Sequence, residues 1–164
     1  MTKTYNVLIL CTGNSAPSIL GEAVFNHDGG GKFVAYSAGS KPAGQPNPFA
    51  IDLLRREGID TAFARSKNWD EFALPDAPKM DFVITVCDNA AAEECPYWPG
   101  APVSAHWGLP DPAAVTGSDA EKALAFADTY RALTRRVQAF AALPIATLDA
   151  LSLKKELTQI GKTE

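Results

Sequence analysis

Cysteine and histidine are scarce in this 164-residue chain, which holds three of the first and two of the second. No C-x₂-C pair occurs, so a zinc centre is a weak reading and no metal is expected. Basic charge is in deficit: 15 Lys and Arg stand against 19 Asp and Glu, a net charge of −4. Without a basic run, nucleic acid is not an expected partner, because that affinity rests on neutralising phosphates. No apolar run approaches the roughly 20 residues of a membrane-spanning helix, so no membrane partner is expected. The first apolar run, Val7 to Leu10, is short and passes straight into Cys11-Thr12-Gly13-Asn14. That is not the pattern of a signal peptide, and a reducing cytoplasm is the expected compartment. There, cysteines are more often free, catalytic or metal-binding than structural.

What remains is an ordinary globular composition, 46% apolar and 21% charged. At about 150 residues per domain, the chain is expected to form one domain over 1–164. Val7 to Leu10 reads as a strand buried on both faces, and helical spacing follows through Ile19, Leu20, Ala23, Val24 and Phe25. Gly29-Gly30-Gly31 marks a stop. Phe33 to Ala38 reads as a second strand, and Pro46 to Glu57 as a helix with Gly58 just past its end. A short helix is expected over Asn68 to Phe72, strands over Asp81 to Val86 and Pro102 to Ala105, and a long helix over Asp119 to Ala142. Pro144 ends that helix, and residues 147–160 read as one more. Strands alternating with helices predict an α/β three-layer sandwich. Its sheet should be four-stranded and mainly parallel, in order 2-1-3-4, with helices on both faces. The Pro- and Gly-rich stretch 96–117 reads as a long functional loop.

Chemistry gathers at strand ends. Cys11 follows the first strand, and Thr12-Gly13-Asn14-Ser15-Ala16-Pro17-Ser18 leads into a helix. Such a junction aims amide hydrogens and a helix N-terminus at one point, which suits an anion. The same field favours a thiolate, and the Ser18 hydroxyl can reach the Cys11 sulfur. A buried strand-end cysteine followed by an ordinary turn fits this spacing equally well. Cys87 closes another strand, which a parallel sheet places on the same edge as Cys11. Residues 88–94 are polar and helix-prone, and refolding there would let Cys95 approach Cys87. Two unrelated thiols are the plainer alternative. Asp111-Pro112 could supply a proton donor, with a raised pKa if Asp111 is partly buried beside Trp107; as a bare dipeptide it reads as a turn. His106 reads as structural.

Taken together, Leu10-Cys-Thr-Gly-Asn-Ser15 with Ser18, Tyr36-Ser-Ala-Gly39, Asn47-Pro48, Thr85-Val-Cys-Asp88 with Cys95-Pro96, and His106-Trp-Gly108 with Asp111-Pro112-Ala113 form a recognisable series. Over roughly residues 5–142 the chain resembles the thioredoxin-coupled arsenate reductases of the low-molecular-weight protein tyrosine phosphatase fold. The final helix, within an extension over 147–164, has no assigned role. The resemblance implies reduction of arsenate to arsenite, as in arsenic detoxification. Thr12, Gly13, Asn14, Ser15, Ala16 and Ser18 would hold arsenate or a phosphate-like oxyanion. Cys11 would attack it, Asp111 would protonate the leaving oxygen, and Cys87 and then Cys95 would carry the oxidation to a disulfide. Thioredoxin is the implied reductant, and no cofactor is implied. Asn14, Glu22 and Ser37 match loop-stabilising residues. Some members of the family place potassium there with an Asp, where Lys67 stands here as a substitute charge, so potassium is not expected. A phosphatase reading shares the loop, but Ala113-Ala114 replace the aromatic residues that would grip a phosphotyrosine, and a phosphatase needs no resolving cysteine pair.

One position departs from the pattern. The family loop, Cys-x₅-Arg-Ser/Thr, calls for arginine at position 17, and the chain has proline. Arginine would offer the oxyanion a bidentate fork. Proline has no such donor and no backbone N–H, although it suits the first turn of a helix. Three readings follow: a weakened or altered reductase, a catalytically impaired oxyanion-binding relative, or a variant of an arginine-bearing enzyme. Arg65 is the candidate to compensate.

Overall fold

The computed structural model describes residues 4–86, 98 and 102–162. Its sheet has four parallel strands: β1 (Tyr5–Leu10), β2 (Phe33–Ala38), β3 (Phe82–Thr85) and β4 (Val103–His106), in the order β2-β1-β3-β4. In register, Leu10 stands between Ala38 and Thr85, and Thr85 beside His106. Every strand therefore ends on the same edge, which carries Cys11 directly after β1.

The strands read as continuous apolar runs because both faces are covered. Alternation sorts their side chains. Val7, Ile9, Phe33, Ala35, Phe82 and Ile84 join one cluster with α1 (Pro17–Asp28), α2 (Pro48–Arg56), α3 (Asp119–Ala141) and α4 (Ala150–Ile160). Leu8, Leu10, Ala38 and Val83 face the other way, onto a short 3-10 helix (Trp69–Phe72), Met80 and Trp98. Helices thus lie on both faces. Among the described residues, no helix is long and apolar enough to cross a membrane.

Element ends follow local chemistry. Asn47 caps α2 by accepting from the Phe49 amide, so α2 starts two residues later than Pro46 suggests. Gly58 follows α2 with φ 76°, a conformation that glycine adopts without a Cβ penalty. Ser118 and Glu121 form a reciprocal capping box for α3. Within the stretch 96–117, the strand expected over Pro102 to Ala105 is β4, one residue further on, and a 3-10 turn at Pro112–Ala114 follows it. The polar segment 88–94 lies outside the described residues.

The edge strand β4 is covered by α4, which buries Leu153, Leu157 and Ile160. The Lys154 ammonium donates to the Ser104 carbonyl at 2.9 Å. This carbonyl faces away from β3, so the lysine occupies an otherwise open sheet edge.

Candidate active site

Residues 11–18 turn from β1 into α1. Three carbonyls of this loop point away from its centre and are held from outside. Thr12 O accepts from the Lys41 amide (3.0 Å), Gly13 O from the Ala43 amide (2.9 Å) and Ser15 O from the Asn47 amide (2.8 Å). The Ser66 hydroxyl also donates to Gly13 O at 3.1 Å. In a trans peptide the next N–H points opposite to its carbonyl, and no cis bond occurs among the described residues. The amides of Gly13, Asn14 and Ala16 therefore turn inward. Inward-facing amides of this kind suit an anion.

A buried hydrogen-bonded chain runs beneath the loop. Cys11 Sγ and Ser18 Oγ are 2.9 Å apart. Asn14 Nδ2 donates to Ser18 Oγ (2.8 Å) and to Ser37 Oγ (3.0 Å), while Asn14 Oδ1 accepts from the Lys67 amide at 2.9 Å. Three partners, Ser18, Ser37 and the Lys67 amide, converge on the Asn14 side chain, and they hold the residue at φ 43°, in the left-handed region. Ser37 Oγ–H donates to Glu22 Oε1 at 2.5 Å. The Lys67 ammonium lies 3.8 Å from the same oxygen and donates to Arg65 O at 2.9 Å. Burial pushes the Glu22 carboxyl up from its ordinary pKa, with Lys67 and Ser37 opposing. Burial pushes the Lys67 ammonium down, with Glu22 opposing. The structure thus joins Cys11, Asn14, Ser18, Glu22, Ser37 and Lys67 in one network.

Pro17 is the first residue of α1 and is buried. Arg65 does not take the place of an arginine there. Its guanidinium forks onto Glu71, with both contacts at 2.9 Å, and this pair is 60% and 43% exposed. Replacing Arg65 by alanine is expected to change unfolding free energy by at most about 1 kcal/mol, as for other surface pairs, and any reaction at Cys11 by less than about twofold. Urea titration and initial rates check this; a tenfold loss of turnover would show that Arg65 reaches the anion after all.

Asp111 lies on the same sheet edge, in the loop after β4. It is exposed, and its carboxylate caps the following turn by accepting from the Ala113 amide at 2.9 Å. The expectation of a carboxyl partly buried beside Trp107 is corrected. Trp107 points into the core, stacked on Phe25 at 5.8 Å, and leaves Asp111 in solvent. His106 Nδ1 pairs with Thr85 Oγ1 at 2.7 Å across the β3–β4 ladder. Cys87 and Cys95 lie outside the described residues. Val86, which precedes Cys87, donates its amide to Leu10 O at 2.9 Å, just before Cys11.

Sequence reasoning missed three supports. A Cβ on Gly39 would come within 2.3 Å of Thr12 O and 2.4 Å of Cys11 O, so only glycine lets the 39–41 segment pass the loop. Its position in Tyr36-Ser-Ala-Gly39 was the available signal. Ser66 bridges Gly13 O and the Gly44 amide, and no sequence pattern marks it. Arg136 is buried and donates to Trp107 O at 3.2 Å. It stood out only as a charge in the apolar series Leu133, Val137, Phe140.

Residues 6–158 match the family described as low molecular weight phosphotyrosine protein phosphatase. The arsenate reductase of Halalkalibacterium halodurans is 35% identical over 135 residues, covering 82% of this chain and 94% of that protein. That of Bacillus subtilis is 34% identical with the same coverage. A solved arsenate reductase in the phosphate binding state superposes with TM-score 0.68 at 25% identity, covering 85% of this chain and 98% of its own. A thioredoxin-dependent arsenate reductase of Corynebacterium glutamicum gives TM-score 0.55 at 23% identity and covers 83% of this chain. The match spans 63% of that neighbour's length, less than two thirds.

Proposed function

Because the chain belongs to the low molecular weight phosphotyrosine protein phosphatase family, and its curated relatives are arsenate reductases, we propose that it reduces arsenate to arsenite with protein thiols. The observation that carries this reading is the loop after β1, whose Thr12, Gly13 and Ser15 carbonyls are tied outward, so that the amide following each of them turns inward. A tetrahedral oxyanion fits that arrangement, held by the 12–16 backbone and the Ser18 hydroxyl.

In the proposed reaction the Cys11 thiolate attacks arsenic. An As–S bond forms, and one arsenate oxygen leaves as water after taking a proton from Asp111. The Cys87 thiolate then attacks the Cys11 sulfur. An S–S bond forms, the As–S electron pair stays on arsenic, and arsenite departs. Cys95 attacks Cys87, which frees Cys11 as thiolate and leaves a Cys87–Cys95 disulfide. A dithiol protein such as thioredoxin takes up the two oxidising equivalents. Free thiols between turnovers call for a reducing compartment, and the proposed working unit is the whole of 1–164.

Reduced protein, arsenate, thioredoxin, its reductase and NADPH should together consume NADPH. Mass spectrometry of the turned-over protein without reductase should find Cys87 linked to Cys95. Replacing Cys95 by serine should stop turnover after one cycle; sustained turnover by Cys95→Ser would refute the relay. Hydrolysis of para-nitrophenyl phosphate without a redox partner would instead favour the phosphatase.

Pro17 supports a second reading. With no fork at position 17 and Arg65 held by Glu71, the chain is an impaired relative that binds oxyanion and turns over slowly. Phosphate or arsenate binding by calorimetry with no NADPH consumption would select it.

A further inference from the structure

We propose that the C-terminal helix α4 is a positioning clamp for the Asp111 loop, gripping it through Trp107. The functional part of this proposal rests on the reading of Asp111 as proton donor. Two elements hold the start of the loop. From α4, Leu157 O accepts the Trp107 indole N–H at 2.9 Å. At the helix end, Gly161 packs so closely that a Cβ there would lie 2.6 Å from His106 O and 2.7 Å from Trp107 Cδ1. From α3, Arg136 donates to Trp107 O at 3.2 Å and approaches Gly108 O at 3.5 Å.

The grip is passed along a short, stiff segment. The Trp107 amide bonds to Thr85 O and the Leu109 amide to Val86 O, which anchor the loop to β3. Pro110 and Pro112 each fix a φ angle on either side of Asp111. Gly108, Leu109 and Pro110 face Thr158 and Lys162 of the α4 end across a shallow groove. A shift of Trp107 is therefore carried to the Asp111 carboxylate rather than absorbed by slack chain. This gives a role to the extension that the sequence left unassigned.

Gly161→Ala is the probe. Gly161 has φ −65°, so alanine suits its backbone, and only the contact with His106 and Trp107 opposes the change. In the chain as it stands, amide exchange at Leu109 and Ala114 should accelerate about tenfold, with β1 and β2 amides unchanged, as expected of local rather than global opening. In the Pro17→Arg background, kcat should fall about tenfold with KM for arsenate unchanged, since misplacing a catalytic group costs rate and not binding. Adding Gly161→Ala to Asp111→Asn should cost nothing further. Leu151→Ala, an exposed change on the same helix, is the control and should move none of these. Unchanged exchange at Leu109 and Ala114 would overturn the clamp. Faster exchange with unchanged kcat would overturn its link to Asp111. If Asp111→Asn alone left kcat intact, the proton-donor reading would fall, and exchange alone would decide the clamp.

Discussion

Replacing Pro17 with arginine is expected to raise kcat/KM for arsenate about 100-fold, the usual worth of one oxyanion-stabilising donor. The loop is otherwise complete in shape. Its carbonyls are tied outward and Cys11 sits on Ser18. Position 17 is the first residue of α1, where an arginine would add both the missing N–H and a planar fork next to the anion. Proline suits that helix position and is buried there, so the substitution brings no gain in stability of its own. The gain should therefore appear in rate and oxyanion affinity and not in the melting temperature. NADPH-coupled initial rates, together with phosphate titration by calorimetry, measure both. Equal rates for the two proteins would mean that the chain satisfies the oxyanion in another way, or that this loop is not where arsenate reacts.

Replacing Lys67 with methionine is expected to destabilise the fold by about 3–5 kcal/mol near neutral pH, because it strands a buried carboxylate. Glu22 and Lys67 are both buried, 3.8 Å apart. Without the ammonium, the Glu22 carboxyl loses the attraction that opposes its desolvation and binds a proton more tightly when folded than when unfolded. A carboxyl whose folded pKa is raised contributes stability fully below its unfolded value, here 4.5, and loses it as pH rises through the folded value. The cost of Lys67→Met should therefore grow from pH 5 to pH 8. Pairing it with Glu22→Gln should restore much of the stability and remove the pH dependence. Urea unfolding at the two pH values tests this. A cost that does not vary with pH, or a double variant no better than the single, would show that Lys67 acts only through its contact with Arg65 O.

The effect should also reach the nucleophile. Glu22 holds Ser37, Ser37 accepts from Asn14, and Asn14 reaches Ser18 beside Cys11. Loosening the buried end leaves Asn14 with fewer partners to keep it at positive φ.

Much of this protein was written locally. The apolar run from Val7 to Leu10, the glycines after α1, the Ser118–Glu121 cap and the alternation of strand and helix all act over a few residues. They placed the four strands in order and Cys11 at the sheet's edge. The strand expected over Asp81 to Val86 is observed as Phe82–Thr85, and both flanking residues still hydrogen-bond to the neighbouring segment on each side, a difference of one residue at each end. Tertiary structure alone decided the rest. Trp107 looked like a neighbour that would bury Asp111, but Phe25, Phe140 and Leu157 draw it into the core and leave Asp111 capping a turn in solvent. Arg65 could have served the oxyanion until Glu71 claimed it. Gly39 and Ser66 shape the loop from 28 and 53 residues beyond Cys11 and Gly13, respectively. Periodicity and capping report what a segment does with its own neighbours along the chain. Burial, ion pairing and close backbone approach depend on which distant segments share a volume, and only the folded chain specifies that.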